Sequence, residues 1–286
     1  MSNMNNIALL EQFGFLAVTG KEALSFLQGY TTCDLEKLTV NNSSPGAICN
    51  IKGRMIANFR AVPFEDGFLL RMDRKLVPVT IEFLLKYIVF SKAEMTDLSD
   101  TYYCYGMMGS ADNFPQADNT SSQINSDTVV CVSTNDQRYE IWSTEEKTTS
   151  DDARQWMSAE VRDGFAWVDE TSTDSFIPQM FNLHAIEGIS FEKGCYLGQE
   201  IVARLQYRGK LTKRLHRGRS DHATNTGDSL FNKEQKSVGT IVSSQKPDFL
   251  AVIQTKSGGD DSYQFSDGTT VELIDLAPQS DRKSVV

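Results

Sequence analysis

Apolar positions along this chain change period several times, and each change marks an element. Residues 7–19 alternate weakly, with Phe13, Phe15, Leu16 and Val18 prominent, and predict a strand ending at Gly20. Residues 21–29 carry helical spacing, with Ala23, Leu24 and Leu27 turned inward. The cluster Asn41-Asn42-Ser43-Ser44-Pro45-Gly46 predicts a turn, and strands over 47–49 and 55–62 follow around a Lys52–Gly53 turn. Glu65-Asp66-Gly67 predicts a hairpin connection into a strand over 68–72. Over 77–87 the spacing is helical again, with Val77, Ile81, Leu84, Leu85 and Ile88 on one face.

Apolar content falls away over 109–127, which reads as a flexible loop or disordered insertion. Strand patterns return at 128–132 and 138–142, and a helix is predicted over 151–160 with Asp151 or Asp152 as its cap. Residues 165–168 form a short apolar run. From about Leu215 onward, short runs at 238–242, 249–253 and 270–274 are separated by Gly, Asp and Ser, as in an all-β domain closing into a small barrel. The elements together predict an α+β protein, and no internal repeat is visible.

Charge adds one feature to this outline. The chain of 286 residues has a net charge of −10, which argues against non-specific nucleic-acid binding by the body of the protein. Yet Arg204, Arg208, Lys210, Lys213, Arg214, Arg217 and Arg219 follow one another between Ile201 and Ser220 with no acid among them. Such a segment is either a solvated face balanced by acids from elsewhere or an anion site for a polyglutamate, a phosphate or an RNA backbone. No apolar run reaches the roughly 18–20 residues of a bilayer span, so no membrane partner is expected. The N-terminus lacks the basic start and apolar stretch of a secretory signal, which points to a soluble, cytoplasmic protein. The five cysteines (Cys33, Cys49, Cys104, Cys131, Cys195) are odd in number and form no C-x-x-C pair, as suits a reducing compartment. His184, His216 and His222 make no ligand spacing, and no resident metal is expected.

The most unusual stretch is Phe191-Glu192-Lys193-Gly194-Cys195-Tyr196-Leu197-Gly198-Gln199-Glu200, continuing through Arg204 to Arg208. Gly194 and Gly198 permit a bend ahead of a helix starting near Gly198 or Gln199. Ile201, Val202 and Leu205 would form its buried stripe, and Glu200, Arg204 and Arg208 recur at i, i+4 and i+8 on another face, a spacing that stabilises a helix by itself. Cys195 lies just ahead of that helix and two residues after Lys193, where a helix start and a nearby cation favour thiolate. It is either the chain's most nucleophilic thiol or a small residue packing a turn. The other four cysteines lie in apolar surroundings and read as core.

Lys193-Gly194-Cys195-Tyr196-Leu197-Gly198-Gln199-Glu200 resembles the K-G-C-Y-x-G-Q-E signature of the YgfZ family. Further blocks resemble that family in order: Phe26-Leu27-Gln28-Gly29 with Thr32 and Asp34; Lys52-Gly53-Arg54; Lys86-Tyr87-Ile88-Val89-Phe90-Ser91-Lys92; Phe176-Ile177-Pro178-Gln179-Met180 with Asn182-Leu183; and Val202-Ala203-Arg204. The resemblance implies a multi-domain cloverleaf like the glycine cleavage T-protein, with a tetrahydrofolate-sized hole at its centre and a C-terminal β-barrel. The expected division is a folate-binding domain from 1–45 and 150–214 carrying the motif, a second domain over 46–149 with the flexible insertion near 109–127, and the barrel over 215–286.

The same resemblance implies a folate-binding accessory protein that supports assembly, repair or activity of iron–sulfur enzymes, tRNA-modifying ones included. Cys195 is then a redox or cluster-contacting thiol. Tetrahydrofolate or a polyglutamylated folate is the expected cofactor, with Phe13 and Trp156 at the two aromatic positions and Asp163 beside the pterin in place of a glutamate that Arg162 replaces. Arg208, Lys210, Lys213 and Arg214 would take the anionic tail, and the 204–219 segment is a candidate tRNA contact. The alternative is a folate-dependent aminomethyltransferase. Those relatives carry G-G-x-x-D-D, however, where this chain has Gly53-Arg54-Met55-Ile56-Ala57-Asn58 and no acid for proton transfer. No turnover is assigned from the sequence.

Overall fold

A computed structural model of the protein describes residues 7–109, 111–150, 152–208, 211–254, 262–274 and 276. In chain order the elements are β1 (Ile7–Leu9), β2 (Phe13–Thr19), α1 (Ala23–Gln28), β3 (Ser44–Cys49), β4 (Met55–Phe64), β5 (Gly67–Asp73), α2 (Leu76–Ile88), β6 (Glu94–Asp97), β7 (Tyr103–Met108), β8 (Ser121–Ile124), β9 (Asp127–Ser133) and β10 (Arg138–Ser143). There follow α3 (Arg154–Arg162), α4 (Gln199–Arg208), β11 (Lys213–Arg219), β12 (Ser229–Phe231), β13 (Ser237–Gln245), β14 (Asp248–Gln254), β15 (Tyr263–Gln264) and β16 (Thr270–Ile274). Short 3-10 turns at Pro178–Phe181 and Leu183–Ile186 lead toward α4.

Three antiparallel assemblies result. One sheet has the order β3-β4-β5-β2-β6, a second the order β1-β7-β10-β9-β8, and β11-β14-β13-β12-β15-β16 close into a barrel. In β2 the even positions Leu16 and Val18 face α1 and α2, whereas Phe13, Phe15 and Ala17 face the second sheet. Both faces are buried, so the strand reads as nearly continuous apolar sequence rather than strict alternation. The interface between the sheets holds Leu10, Phe13, Phe15, Val62, Leu69, Val130 and Trp142, and α3 adds Trp156. That helix also packs against β13 and β14, joining the second sheet to the barrel. Trp156 reaches this position because residue 106 is glycine: a Cβ there would lie 2.6 Å from the indole ring.

Several expectations are corrected. Residues 7–19 are two strands in different sheets, because Phe13 N–H closes a turn onto the Leu10 carbonyl. The expected boundary at residue 45 does not follow the sheets, since β2 pairs with β5 along Phe13–Val18; the barrel begins at Lys213, slightly before Leu215. Residues 109–127 are not a featureless insertion. Phe114 is buried against Tyr139, Asn119 Oδ1 accepts from the buried Arg60 guanidinium at 2.7 Å, and 121–124 add β8 to the sheet. Polar composition concealed these long-range anchors. Leu85 lies on the exposed side of α2, whose buried residues are Leu76, Val77, Thr80 and Leu84. The third helix starts at Arg154 with no side-chain cap; Asp152 bonds the Arg154 N–H at 2.8 Å, and Asp151 lies outside the described residues.

Between the two sheets sits an ion pair with both side chains fully buried. Arg71 of β5 makes a two-pronged contact with Glu140 of β10. Trp142 Nε1 donates to Glu140 Oε2 at 2.8 Å. The guanidinium carbon stands 3.9 Å from the ring centroids of both Phe13 and Trp167. Removing one partner strands a buried charge, so Glu140→Ala is expected to cost about 3–5 kcal/mol in urea unfolding. Arg71→Met with Glu140→Leu should recover much of that loss. An unchanged urea midpoint for Glu140→Ala would show that the pair does not hold the sheets together.

Candidate functional site

The signature motif is a loop clamped onto the first sheet. Ser190 N–H donates to the Thr32 carbonyl at 2.8 Å, Thr32 Oγ1 to the Gly188 carbonyl at 2.6 Å, and Leu197 N–H to the Gly29 carbonyl at 2.9 Å. Lys193 is buried, and its ammonium donates to the carbonyls of Thr31 (2.9 Å) and Cys33 (2.7 Å). It also stands 5.4 Å from the Tyr196 ring centroid. Burial pushes Lys193 down to about 8, with Cys33, Asp34 and Glu36 opposing. Gly198 has φ +83°, and a Cβ there would collide with the Asn50 carbonyl oxygen; Gly53 at φ +69° packs against Ile201. The 50–53 turn and the start of α4 thus meet backbone to backbone. Gln28 and Asp34 are bonded to one another at 2.6 Å and hold the turn beneath.

What this clamp leaves outward is Gly194, Cys195, Glu200 and Arg204, all exposed, with Gln199 half-buried. Of the five cysteines, Cys195 is exposed and the other four are buried. One detail differs from expectation: the Lys193 ammonium is committed to backbone carbonyls instead of to the thiol. The helix α4 begins at Gln199, as the spacing predicts, four residues beyond Cys195. Tyr196 packs inward, and burial raises its hydroxyl well above the usual range. In the α4 stripe, Val202 is fully buried and Ile201 and Leu205 are half-buried.

The second set of candidates lies in the inter-sheet region. Phe13 and Trp156 belong to one buried cluster, each 2% exposed. Phe13 is covered by Arg71 and meets Trp167 edge-on at 5.2 Å. Trp156 faces Gly106, and its Nε1 is buried without a hydrogen-bond partner, as is Nη1 of Arg71. Glu160, buried, accepts from Trp167 Nε1 at 3.1 Å. Burial pushes its carboxyl up, against the opposing charges of Arg138 and Arg71. Asp163 pairs with Arg138; burial raises its carboxyl and Arg138 works the other way. Arg162 is exposed, and its carbonyl accepts from Arg217 at 3.4 Å.

Arg71, Glu140, Glu160 and Trp167 were not singled out from the sequence. The signal for Arg71 and Glu140 was a lone charge inside an apolar strand pattern, as in Phe68-Leu69-Leu70-Arg71-Met72 and Tyr139-Glu140-Ile141-Trp142. The basic segment is divided by the alternation of β11. Arg217 turns toward Arg162, whereas Arg214 lies beside His184. Lys213 and Arg214 are exposed; Lys210 and the Arg208 side chain lie outside the described residues.

A folate would need an aromatic wall, donors for its ring carbonyl and an acid for its amino edge. Trp156 and Trp167, the unpartnered donors of Trp156 and Arg71, and the carboxyl of Glu160 are of the right chemical types. The aminomethyl-transfer acid has no counterpart. Asn58 gives its Nδ2 to the Ala166 carbonyl (2.9 Å) and accepts Val168 N–H on Oδ1 (2.7 Å), so its amide is spent on the backbone.

No family model matches the chain. Among curated proteins it is similar to the tRNA-modifying protein YgfZ of several bacteria. Identity with that of Colwellia psychrerythraea is 33% over 219 residues, covering 70% of this chain and 67% of the relative. For Yersinia pseudotuberculosis it is 29% over 259 residues (82% and 78%), and for Aliivibrio fischeri 28% over 286 (94% and 84%). Among solved structures, the glycine cleavage system aminomethyltransferase T from Bartonella henselae superposes with a TM-score of 0.69 at 12% identity, covering 96% of this chain and 85% of that one. The fold is therefore that of the glycine cleavage T-protein, an α+β architecture with a closed β-barrel at its C-terminal end.

Two measurements check the clamp. Gly198→Ala combines a left-handed backbone with a backbone collision and is expected to cost more than about 2 kcal/mol. Gly194→Ala, with open space around it, should stay within about 0.5 kcal/mol. Equal effects in thermal unfolding would contradict the docking of the motif on the 50–53 turn. Lys193 in turn predicts a pH dependence. The folded chain releases this proton near pH 8, and the unfolded chain at about 10.4. Between those values the unfolded state binds the extra proton, so stability attributable to Lys193 rises with pH. Wild type should therefore gain on Lys193→Met from pH 8 to 10 in urea titrations, and a flat difference would place the ammonium in water.

Proposed function

The chain belongs to the YgfZ family, and from that premise we propose that it is a folate-binding accessory protein supporting iron–sulfur enzymes, tRNA-modifying ones included. The observation that carries this reading is Cys195: an exposed thiol on a loop held in place through Ser190, Lys193 and Leu197, while every other cysteine is buried. A rigid loop presenting one thiol suits contact with a client's cluster or a redox exchange with it. The inter-sheet region is the folate site, with Trp156 and Trp167 as aromatic walls, Arg71 as a donor and Glu160 as the acid. Phe13 acts by holding Arg71 and Trp167 in position. Folate, when bound, supplies a one-carbon carrier.

A folate-related role in tRNA modification draws support from the role named for the relatives and from the fold. The aminomethyltransferase alternative is disfavoured by the spent amide of Asn58. Free thiols and the acidic body fit a cytoplasmic setting. The cations of the 204–219 segment are assigned to a polyanion, a folate polyglutamate tail or an RNA backbone.

Tetrahydrofolate should quench the intrinsic tryptophan fluorescence saturably. Trp156→Phe, which keeps a ring and loses the buried donor, should weaken affinity about tenfold. Cys195→Ala should keep folate affinity and fail to support a radical iron–sulfur tRNA-modifying enzyme in a reconstituted assay. Alkylation should reach Cys195 first. If Cys195→Ala supports the client as well as wild type does, the thiol is not the working group; if quenching is absent, the folate assignment fails.

A further inference from the structure

A cleft of ≈ 160 Å³ opens between the turns at 178–184, the later part of α4 and the start of β11. Among the described residues its lining includes neither Cys195 nor the inter-sheet tryptophans, and no acidic residue. Gln179 forms part of its wall. This side chain is 3% exposed, and its Nε2 is tied to the Val202 carbonyl at 2.6 Å, which fixes the amide's orientation. Its Oε1 is then a buried acceptor with no donor. A buried acceptor left unmet is costly to keep, and the residue that carries it lines the cleft. Asn182 supplies a second amide from a left-handed position at φ +58° between the two turns. Leu205 and Leu211 present apolar faces, and Arg214 sits in the lining as the cation. Desolvation and the Arg214 charge hold the His184 imidazole below its usual range, so at neutral pH it can accept as well as donate.

The ligand this arrangement matches has N–H groups along one edge, flat apolar faces and a negative group. A nucleotide unites all three. We infer that the cleft binds a single nucleotide, its base edge read by the Gln179 and Asn182 amides between Leu205 and Leu211, and its phosphate held by Arg214. The inference rests on reading the 204–219 segment as polyanion-binding, and it adds a defined pocket to that face. The nucleotide is either splayed from an RNA strand or free in solution, with the same chemistry in both cases. A polyglutamate chain also carries amide N–H groups and carboxylates, but it has no flat ring for the two leucines.

The test follows the imidazole proton signals of His184 by NMR in the full-length protein, assigned by their loss in His184→Gln. AMP, CMP, GMP, UMP, an unstructured oligoribonucleotide and pentaglutamyl tetrahydrofolate are titrated separately, with affinities taken from calorimetry. At least one monophosphate should move the His184 signals saturably. Arg214→Ala should weaken that binding about tenfold with an unchanged thermal midpoint. If the oligoribonucleotide moves the same signals, the source is RNA; if only monophosphates do, it is the free nucleotide. Either result supports the site. Silence of His184 toward every nucleotide overturns it, as does a response to the pentaglutamate alone. An oligoribonucleotide that binds without moving His184 overturns the cleft while leaving the polyanion reading of the basic face intact.

Discussion

The arrangement of this protein depends on two opposite charges that have no access to water. Arg71 and Glu140 come from different sheets and meet in the layer between them. Burying each ion costs several kcal/mol, and the attraction offsets that cost only when the remaining donors and acceptors are met in good geometry. Trp142 meets a carboxylate oxygen, and Phe13 and Trp167 meet the guanidinium with their rings. The sheets are therefore held in one relative position, and that position sets where Trp156, Trp167 and Glu160 stand. One guanidinium donor stays unsatisfied, as does the Trp156 indole N–H. An interior that keeps such donors beside aromatic faces is suited to a flat polar ligand.

The motif loop obeys the same economy of polar groups. Lys193 uses its ammonium to satisfy carbonyls at 31 and 33, and Gly198 is glycine because the Asn50 carbonyl occupies the space a side chain would need. Tyr196 and Val202 fill the apolar remainder. Most of the signature thus has a packing explanation. The residues that packing does not use, Cys195 among them, are the ones the proposed function draws on. A thiol held on a rigid loop is presented in one orientation, which a mobile tail could not achieve.

Outside, the basic segment resolves into separate jobs. Arg217 turns toward the Arg162 carbonyl near the inter-sheet region, and Arg214 turns to the His184 cleft. Neighbouring cations on a strand point to opposite faces, so a run of positive charge in sequence becomes two surfaces in space. The acidic remainder of the chain disfavours polyanions over the rest of the surface.

The sequence by itself determined whatever local period and turn chemistry encode: the hairpin at 65–67, the helical period of α2 and α4, the short strands of the barrel and the apolar setting of four cysteines. It also carried the ordered motif blocks. The tertiary structure alone decided which partners those residues met. Arg71 and Glu140 are 69 positions apart, and Lys193 and Thr31 162; no periodicity spans such distances. Residues 109–127 looked loose because their anchors, Arg60 and Tyr139, lie elsewhere in the chain. Leu85 and Leu84 are equivalent in composition, and only the position of the sheet beneath α2 makes one core and the other surface. The side of a helix or strand that is buried, and the charge that is paired, are settled when distant segments exclude water together, because desolvation is a property of the assembled contact and of no single segment.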